Sequence, residues 1–145
     1  MNLEYLFRKC AIIYCSVSTI RICSKTTLFS YIDQHDVWVW GYGILGQGPN
    51  VQHSEKPLLL PPTLFGRNEI NHDAKTEKIF CGIHNCAAIN SYGDLYTWGL
   101  NKGSCLGLGD HKNDQFFPFK VNLGGEAKKV SLGIDHTIAL CKPYV

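Results

Sequence analysis

The side chains in this sequence that could do chemistry are few, and each has a plainer role open to it. Cys81 and Cys86 are the types that hold metals or exchange electrons. Yet none of the seven cysteines (Cys10, Cys15, Cys23, Cys81, Cys86, Cys105 and Cys141) forms the C-x2-C pair that grips zinc. They read as small buried residues in a reducing compartment. His72-Asp73 offers two metal-ligand types without a third partner. Asp135-His136 joins a carboxylate to an imidazole behind Gly133; the plainer role for His136 is a hydrogen bond to backbone. Trp38, Trp40 and Trp98 are rings on which RNA bases could stack, but their fixed place in a repeat favours core packing. Lys128-Lys129 and the stretch from Lys75 to Lys78 are short basic touches of a solvated surface. Gly41-Tyr42-Gly43 follows a strand but leads into a Gly/Pro-rich turn and not into the helix a phosphate cradle needs. Neither a nucleophile elbow nor a catalytic carboxylate pair is visible. The expectation is a protein that is not an enzyme, with no metal and no cofactor.

The elements that must position these residues come from an internal repeat. The segment from His35 to Gly48, HDVWVWGYGILGQG, resembles GDLYTWGLNKGSCLGLG from Gly93 to Gly109. Each copy has an Asp (Asp36, Asp94), an alternating strand ending in Trp-Gly (Trp40-Gly41, Trp98-Gly99) and a Leu-Gly-x-Gly turn (Leu45 to Gly48, Leu106 to Gly109). A second element repeats as well: Cys81-Gly82-Ile83-His84-Asn85 aligns with Leu132-Gly133-Ile134-Asp135-His136. The two shifts are 58 and 51 residues, and periods in the fifties suit propeller blades better than shorter solenoid repeats.

Within one repeat, a short apolar strand over Ala87 to Asn90 turns at Ser91-Tyr92-Gly93-Asp94 and returns as Leu95-Tyr96-Thr97-Trp98. Strand alternation sends Tyr96 and Trp98 to one face and Leu95 and Thr97 to the other, so both faces carry bulk. Val37-Trp38-Val39-Trp40 repeats the arrangement. An outer strand is expected at Phe117-Pro118 and Val121, with Pro at its start or edge. Its counterpart in the first copy is expected at Pro61-Pro62 and Leu64-Phe65. Gly66 to Glu77 reads as an inserted solvent loop.

Composition agrees with a single domain of this kind. A chain of 145 residues suits one domain of roughly 100 to 150 residues. Charged residues at 18% with 14 glycines fit a turn-rich β protein. A net charge of +2 is too mild to announce a DNA-binding surface. The longest apolar run, Cys10 to Cys23, is broken by Ser16, Ser18, Thr19 and Arg21, so no transmembrane span is expected.

The N-terminal third is less regular. Ile22-Cys23-Ser24 echoes Phe80-Cys81-Gly82, and Leu28 to Tyr31 echoes Cys86 to Ile89, at the same 58-residue shift. Residues 19–36 are therefore expected as a remnant of a preceding blade, 37–141 as two repeats, and 1–18 are unassigned. A rival reading is a mitochondrial transit peptide, because residues 1–32 hold Arg8, Lys9, Arg21 and Lys25 against Glu4 alone. The stretch is β-branched, however, and lacks a helical apolar stripe.

In this order, Gly-Asp-Leu-Tyr-Thr-Trp-Gly (Gly93 to Gly99), Leu-Gly-x-Gly (Leu106 to Gly109) and Gly-x-x-His-Thr-x-Ala-Leu (Gly133 to Leu140) resemble the repeat of the regulator of chromosome condensation. VWVWGYGILGQGPN, PPTLFG, DQFFPF and GIDHTIAL look like its mitochondrial, guanine-exchange-factor-like branch, toward the C-terminal end. The resemblance implies an all-β fold, here a partial β-propeller of about two four-stranded antiparallel blades plus the remnant, from a seven-bladed ring. The structural signature is then Trp40, Gly41, Gly82, Trp98, Gly99, Gly107, Gly109 and Gly133. It also implies a binding platform that speeds nucleotide release from a GTPase, with Asp135 and His136 facing that GTPase. For the mitochondrial branch the implied target is a dynamin-like fusion GTPase, in mitochondria and with peripheral membrane association. The alternative role is mitochondrial ribosome assembly, with its proteins and RNA as partners. Two blades cannot close a ring, so a fragment, inactive alone, is the remaining expectation.

Overall fold

The structure, a computed structural model, describes residues 20–22, 29–109 and 112–144. Its strands fall into three consecutive antiparallel sheets. The first contains β1 (Ile20–Ile22), β2 (Phe29–Asp33), β3 (Asp36–Tyr42) and β4 (His53–Leu60), paired in that order. The second contains β5 (Thr76–Cys81), β6 (Asn85–Asn90), β7 (Leu95–Gly99) and β8 (Gln115–Lys120), again in chain order. β9 (Gly125–Leu132) and β10 (Thr137–Pro143) form the third. This is the partial propeller that the repeat implied. The repeat boundaries and the sheet boundaries do not coincide: the strands from 19–36, expected as a remnant of a preceding blade, lie in the same sheet as β3, through Phe29 opposite Trp40 and Tyr31 opposite Trp38. A repeat counted from Trp to Trp begins halfway through a blade.

Each Trp-Gly marks a slip in the ladder to the outermost strand. Register shifts occur between Val39 and Gly41 against β4, and between Thr97 and Gly99 against β8. Gly41 and Gly99 have φ of 101° and 114°, the positive angles that a glycine tolerates at a bulge. At Gly99 space is as restrictive as angle, since a Cβ would collide with the His84 carbonyl oxygen.

The alternation predicted for β7 holds. Tyr96 and Trp98 enter the core shared with the first sheet, beside Val37, Val39, Leu45, Leu60 and Ile79. Leu95 enters the core shared with the third sheet, beside Ala87, Ile89, Ala127 and Val130. Thr97 is also buried, its hydroxyl donating to the Leu106 carbonyl at 2.8 Å. The same alternation leaves Ile138 and Leu140 of β10 exposed, at the repeat positions of buried Ala87 and Ile89. They point away from the second sheet.

The outermost strand of the first sheet differs from expectation. It is β4, and Pro62–Phe65 instead form a short 3-10 turn closed by Gly66 at φ 92°. Two successive prolines remove two backbone donors and end the ladder at Leu60. Pro118 lies inside β8, where an outermost position makes its missing N–H tolerable. The inserted loop runs to Lys75, with Thr76 and Glu77 already in β5. It is held down by Ala74, which is buried, and by the Tyr92 hydroxyl donating to Asp73.

The junction between the first two sheets is where the repeated motifs meet. Trp98 is fully buried, and the Leu45-Gly46-Gln47-Gly48 turn of the preceding sheet lies against it. A Cβ at Gly46 would stand 3.2 Å from Trp98 Nε1 and 3.3 Å from Leu60 Cδ1, at a φ of 87°. The second glycine of the later turn, Gly109, the counterpart of Gly48, has φ 66° and nothing within 4 Å of where a Cβ would stand. Gly46→Ala should therefore destabilise the fold by about 2–4 kcal/mol, combining backbone strain with overpacking. Gly109→Ala should cost about 1 kcal/mol, from strain alone. Urea midpoints of the two variants check this order; equal midpoints would refute it.

Candidate functional site

Antiparallel pairing puts the turns of these sheets at two ends. One end carries the 43–52 loop after β3, the β5–β6 turn with His84, the 100–114 loop after β7 and the β9–β10 turn with Asp135 and His136. The other carries the tight Gln34-His35 turn, the β6–β7 turn and the 61–75 connection.

The first end collects most of the residues that the sequence singled out. A cavity of about 180 Å³ opens there between Tyr42, Ile44, Gln52, His84, Leu100 and Phe116. Tyr42 and Leu100 are exposed, and the Tyr42 ring packs on His53 with centroids 4.7 Å apart. Asp114 closes one side and is itself held, accepting from the Asn101 backbone N–H at 2.8 Å. Asn101 in turn accepts from the Leu106 N–H through its Oδ1 and donates through Nδ2 to the Asn113 carbonyl at 3.3 Å, so one buried amide ties together residues 101, 106 and 113.

Asp135 and His136 stand on the adjacent turn. His136 Nδ1 donates to Asp135 Oδ1 at 3.0 Å, with both side chains well exposed. The His136 ring lies over Gly133, where a Cβ would meet it at 2.5 Å. The second sheet's loop touches this turn: a Cβ at Gly103 would approach the Asp135 carbonyl at 2.9 Å. The hydrogen bond from His136 holds the Asp135 carboxyl below its ordinary value, with His136 charge and, more weakly, Lys102 acting the same way.

Their counterparts in the preceding repeat, His84 and Asn85, are treated differently by the fold. His84 is exposed at the cavity, whereas Asn85 is buried, donating to Cys105 Sγ at 3.3 Å and packed on Gly82. Cys105 arrives on the loop after β7, 20 residues further along the chain. Burial of Asn85 thus depends on the loop laid over it. The cavity between consecutive sheets is invisible in the sequence; the equal placement of His84 and Asp135 is the available signal.

The remaining candidates do not converge on a site. Trp98 and Trp40 are buried, Trp38 is half-buried, and the signature glycines Gly41, Gly82, Gly99, Gly107, Gly109 and Gly133 lie in turns or at bulges. Lys128 pairs with Glu126 at 2.6 Å, and Lys120 with Asp94 at 2.8 Å. His72 lines a smaller cavity of about 100 Å³ at the opposite end with His35, Asp36, Arg67 and Lys75. Among the described residues no three His, Cys, Asp or Glu side chains could hold a metal, and no helix is long and apolar enough to cross a membrane.

Stacked four-stranded sheets with inner turns of this pattern define a piece of a β-propeller. Residues 92–140 match the Regulator of chromosome condensation (RCC1) repeat, and the chain belongs to that repeat family. It is similar to the RCC1-like G exchanging factor-like protein of Homo sapiens, with 45% identity over 109 residues, 75% of this chain and 23% of that protein. The Mus musculus counterpart is 43% identical over the same shares. The crystal structure of human WBSCR16 superposes with a TM-score of 0.80 at 40% identity, covering 90% of this chain and 33% of that one. Prp20p from Saccharomyces cerevisiae, described with its binding to Gsp1p and histones, shares the fold with a TM-score of 0.64 at 22% identity over 81% of this chain and 28% of its own. The chain thus spans about a quarter to a third of the proteins it matches.

The Asp135–His136 pair is directly testable. By carbon-detected NMR, Asp135 should titrate below 3.8 in the parent chain and move back up toward it in His136→Ala. Identical midpoints would show that the two side chains do not interact.

Proposed function

We propose that this chain is a binding module, guanine-nucleotide exchange factor-like, which engages a GTPase through the loop end of its sheets without covalent chemistry. The observation that carries this reading is that one end of the sheets presents both the exposed Asp135–His136 pair on the β9–β10 turn and the cavity where His84 meets the exposed apolar Tyr42 and Leu100. A carboxylate and imidazoles presented on rigid turns can compete for the cation and phosphate contacts that hold a nucleotide, while apolar rings supply affinity. Similarity to the RCC1-like G exchanging factor-like proteins supports the same reading.

The finer target in this proposal is a dynamin-like GTPase in mitochondria, with mitochondrial fusion as the process served; it rests on the motif resemblance of VWVWGYGILGQGPN and GIDHTIAL. An RNA-binding role draws no support from the loop end or from the tryptophans, since Trp40 and Trp98 are buried.

The test is release of a fluorescent guanine nucleotide from such a GTPase, followed by stopped flow with the chain and with Asp135→Ala. Release should accelerate with the parent, and the variant should lose about 10-fold or more of that acceleration, the effect of one charge-assisted contact. Release unchanged by either protein would reject exchange activity. Subcellular fractionation of the tagged chain tests the mitochondrial location separately.

A further inference from the structure

We propose that Cys81 and Cys86 form a redox-active pair that closes to a disulfide across the β5–β6 hairpin. The two residues are register partners at the end of the hairpin, and both are present as thiols with Sγ atoms 3.6 Å apart. The next pair toward the turn, Gly82 and Asn85, is joined by a backbone hydrogen bond from Gly82 N–H to the Asn85 carbonyl at 2.7 Å. Pairs alternate in an antiparallel ladder, so Cys81 and Cys86 occupy a non-hydrogen-bonded position, where Cα atoms approach to about 4.5 Å and side chains are closest. That spacing lies inside the roughly 4.4–6.8 Å range that a disulfide bridges without backbone movement. Among the described residues neither thiol belongs to a cluster that could hold a metal, which leaves thiol chemistry as what the pair can do.

The two sulfurs differ in access. Cys81 is half-buried, while Cys86 is fully buried in the core between the first two sheets, opposite Trp98 on β7. Cys81 is therefore the sulfur that meets an external disulfide, and Cys86 the one that resolves. The Cys81 thiolate attacks one sulfur of oxidised glutathione, forming a mixed disulfide and releasing one glutathione thiolate. The Cys86 thiol, giving up its proton, then attacks the Cys81 sulfur and releases the second glutathione. The protein pair loses two electrons and two protons, and one oxidised glutathione becomes two reduced molecules. The ring so formed encloses the Gly82–Asn85 turn, which carries His84 of the loop-end cavity, so oxidation stiffens the turn that presents this imidazole.

The full chain, equilibrated with mixtures of oxidised and reduced glutathione, quenched with acid, alkylated and digested, should yield a peptide linking Cys81 to Cys86. Trp98 fluorescence should fall in the same titration and recover with dithiothreitol, and Cys81→Ser should abolish the fall. Cys86→Ser should instead trap glutathione on Cys81. Should the buried substitution prevent folding, the peptide map of the unaltered chain decides alone. Glutathione on Cys81 with no linked peptide, or both cysteines unmodified in the most oxidising mixture, would overturn the proposal.

Discussion

Trp98 seated against Gly46 is the contact on which the arrangement of sheets depends. Burying an indole of roughly 150–250 Å² at about 25 cal/mol per Å² is worth on the order of 4–6 kcal/mol. The same burial leaves Nε1 without an acceptor among the described residues, a loss of roughly 1–3 kcal/mol. The balance favours the seat, and it explains why the two halves of the repeat travel together. The Leu-Gly-x-Gly turn of one sheet is the floor for the Trp of the next. Gly48 takes part as well: its N–H donates to the Phe116 carbonyl at 2.9 Å, and a Cβ there would strike the Phe117 ring at 2.9 Å. Neither motif has its full meaning inside its own sheet.

A second set of contacts locks the opposite end. Asn90, buried, accepts from the N–H groups of Tyr92 and Asp94 and donates to the Phe65 carbonyl of the preceding connection at 3.0 Å. Tyr96 sits beside it, and burial, with Asp94 adding to it, pushes its phenol up to about 12. With strands fixed by Trp98 at one end and Asn90 at the other, the loop end is free to carry variable side chains. Asp135 and His84 use that freedom at equivalent positions, with His136 next to Asp135, on turns whose backbone is already determined.

Much of this is legible in the residues alone. The alternation of Tyr96 and Trp98 against Leu95 and Thr97 follows from strand geometry and is what the sheets display. The all-β propeller fragment follows from motifs recurring in order. Pro61-Pro62 misleads because prolines align where ladders do not: Pro118 is accepted inside an outermost strand, whereas two prolines in a row end one. Residues 19–36 mislead for a different reason. A sequence repeat has no natural starting point, and only strand pairing shows that Phe29 and Tyr31 lie opposite Trp40 and Trp38.

By itself the sequence determined what each segment can be, because turn type, strand alternation and bulge glycines are set by local sterics and a period of two. Tertiary structure alone decided what covers each of them. Asn85 and His136 hold the same place in the repeat, yet one lies under Cys105 and the other stands exposed beside Asp135. The cover on Asn85 comes from a loop arriving from 20 residues further along the chain, a contact that local sterics do not specify. The same holds for Cys81 and Cys86, whose spacing in sequence says little and whose position across a non-hydrogen-bonded rung says what they can do.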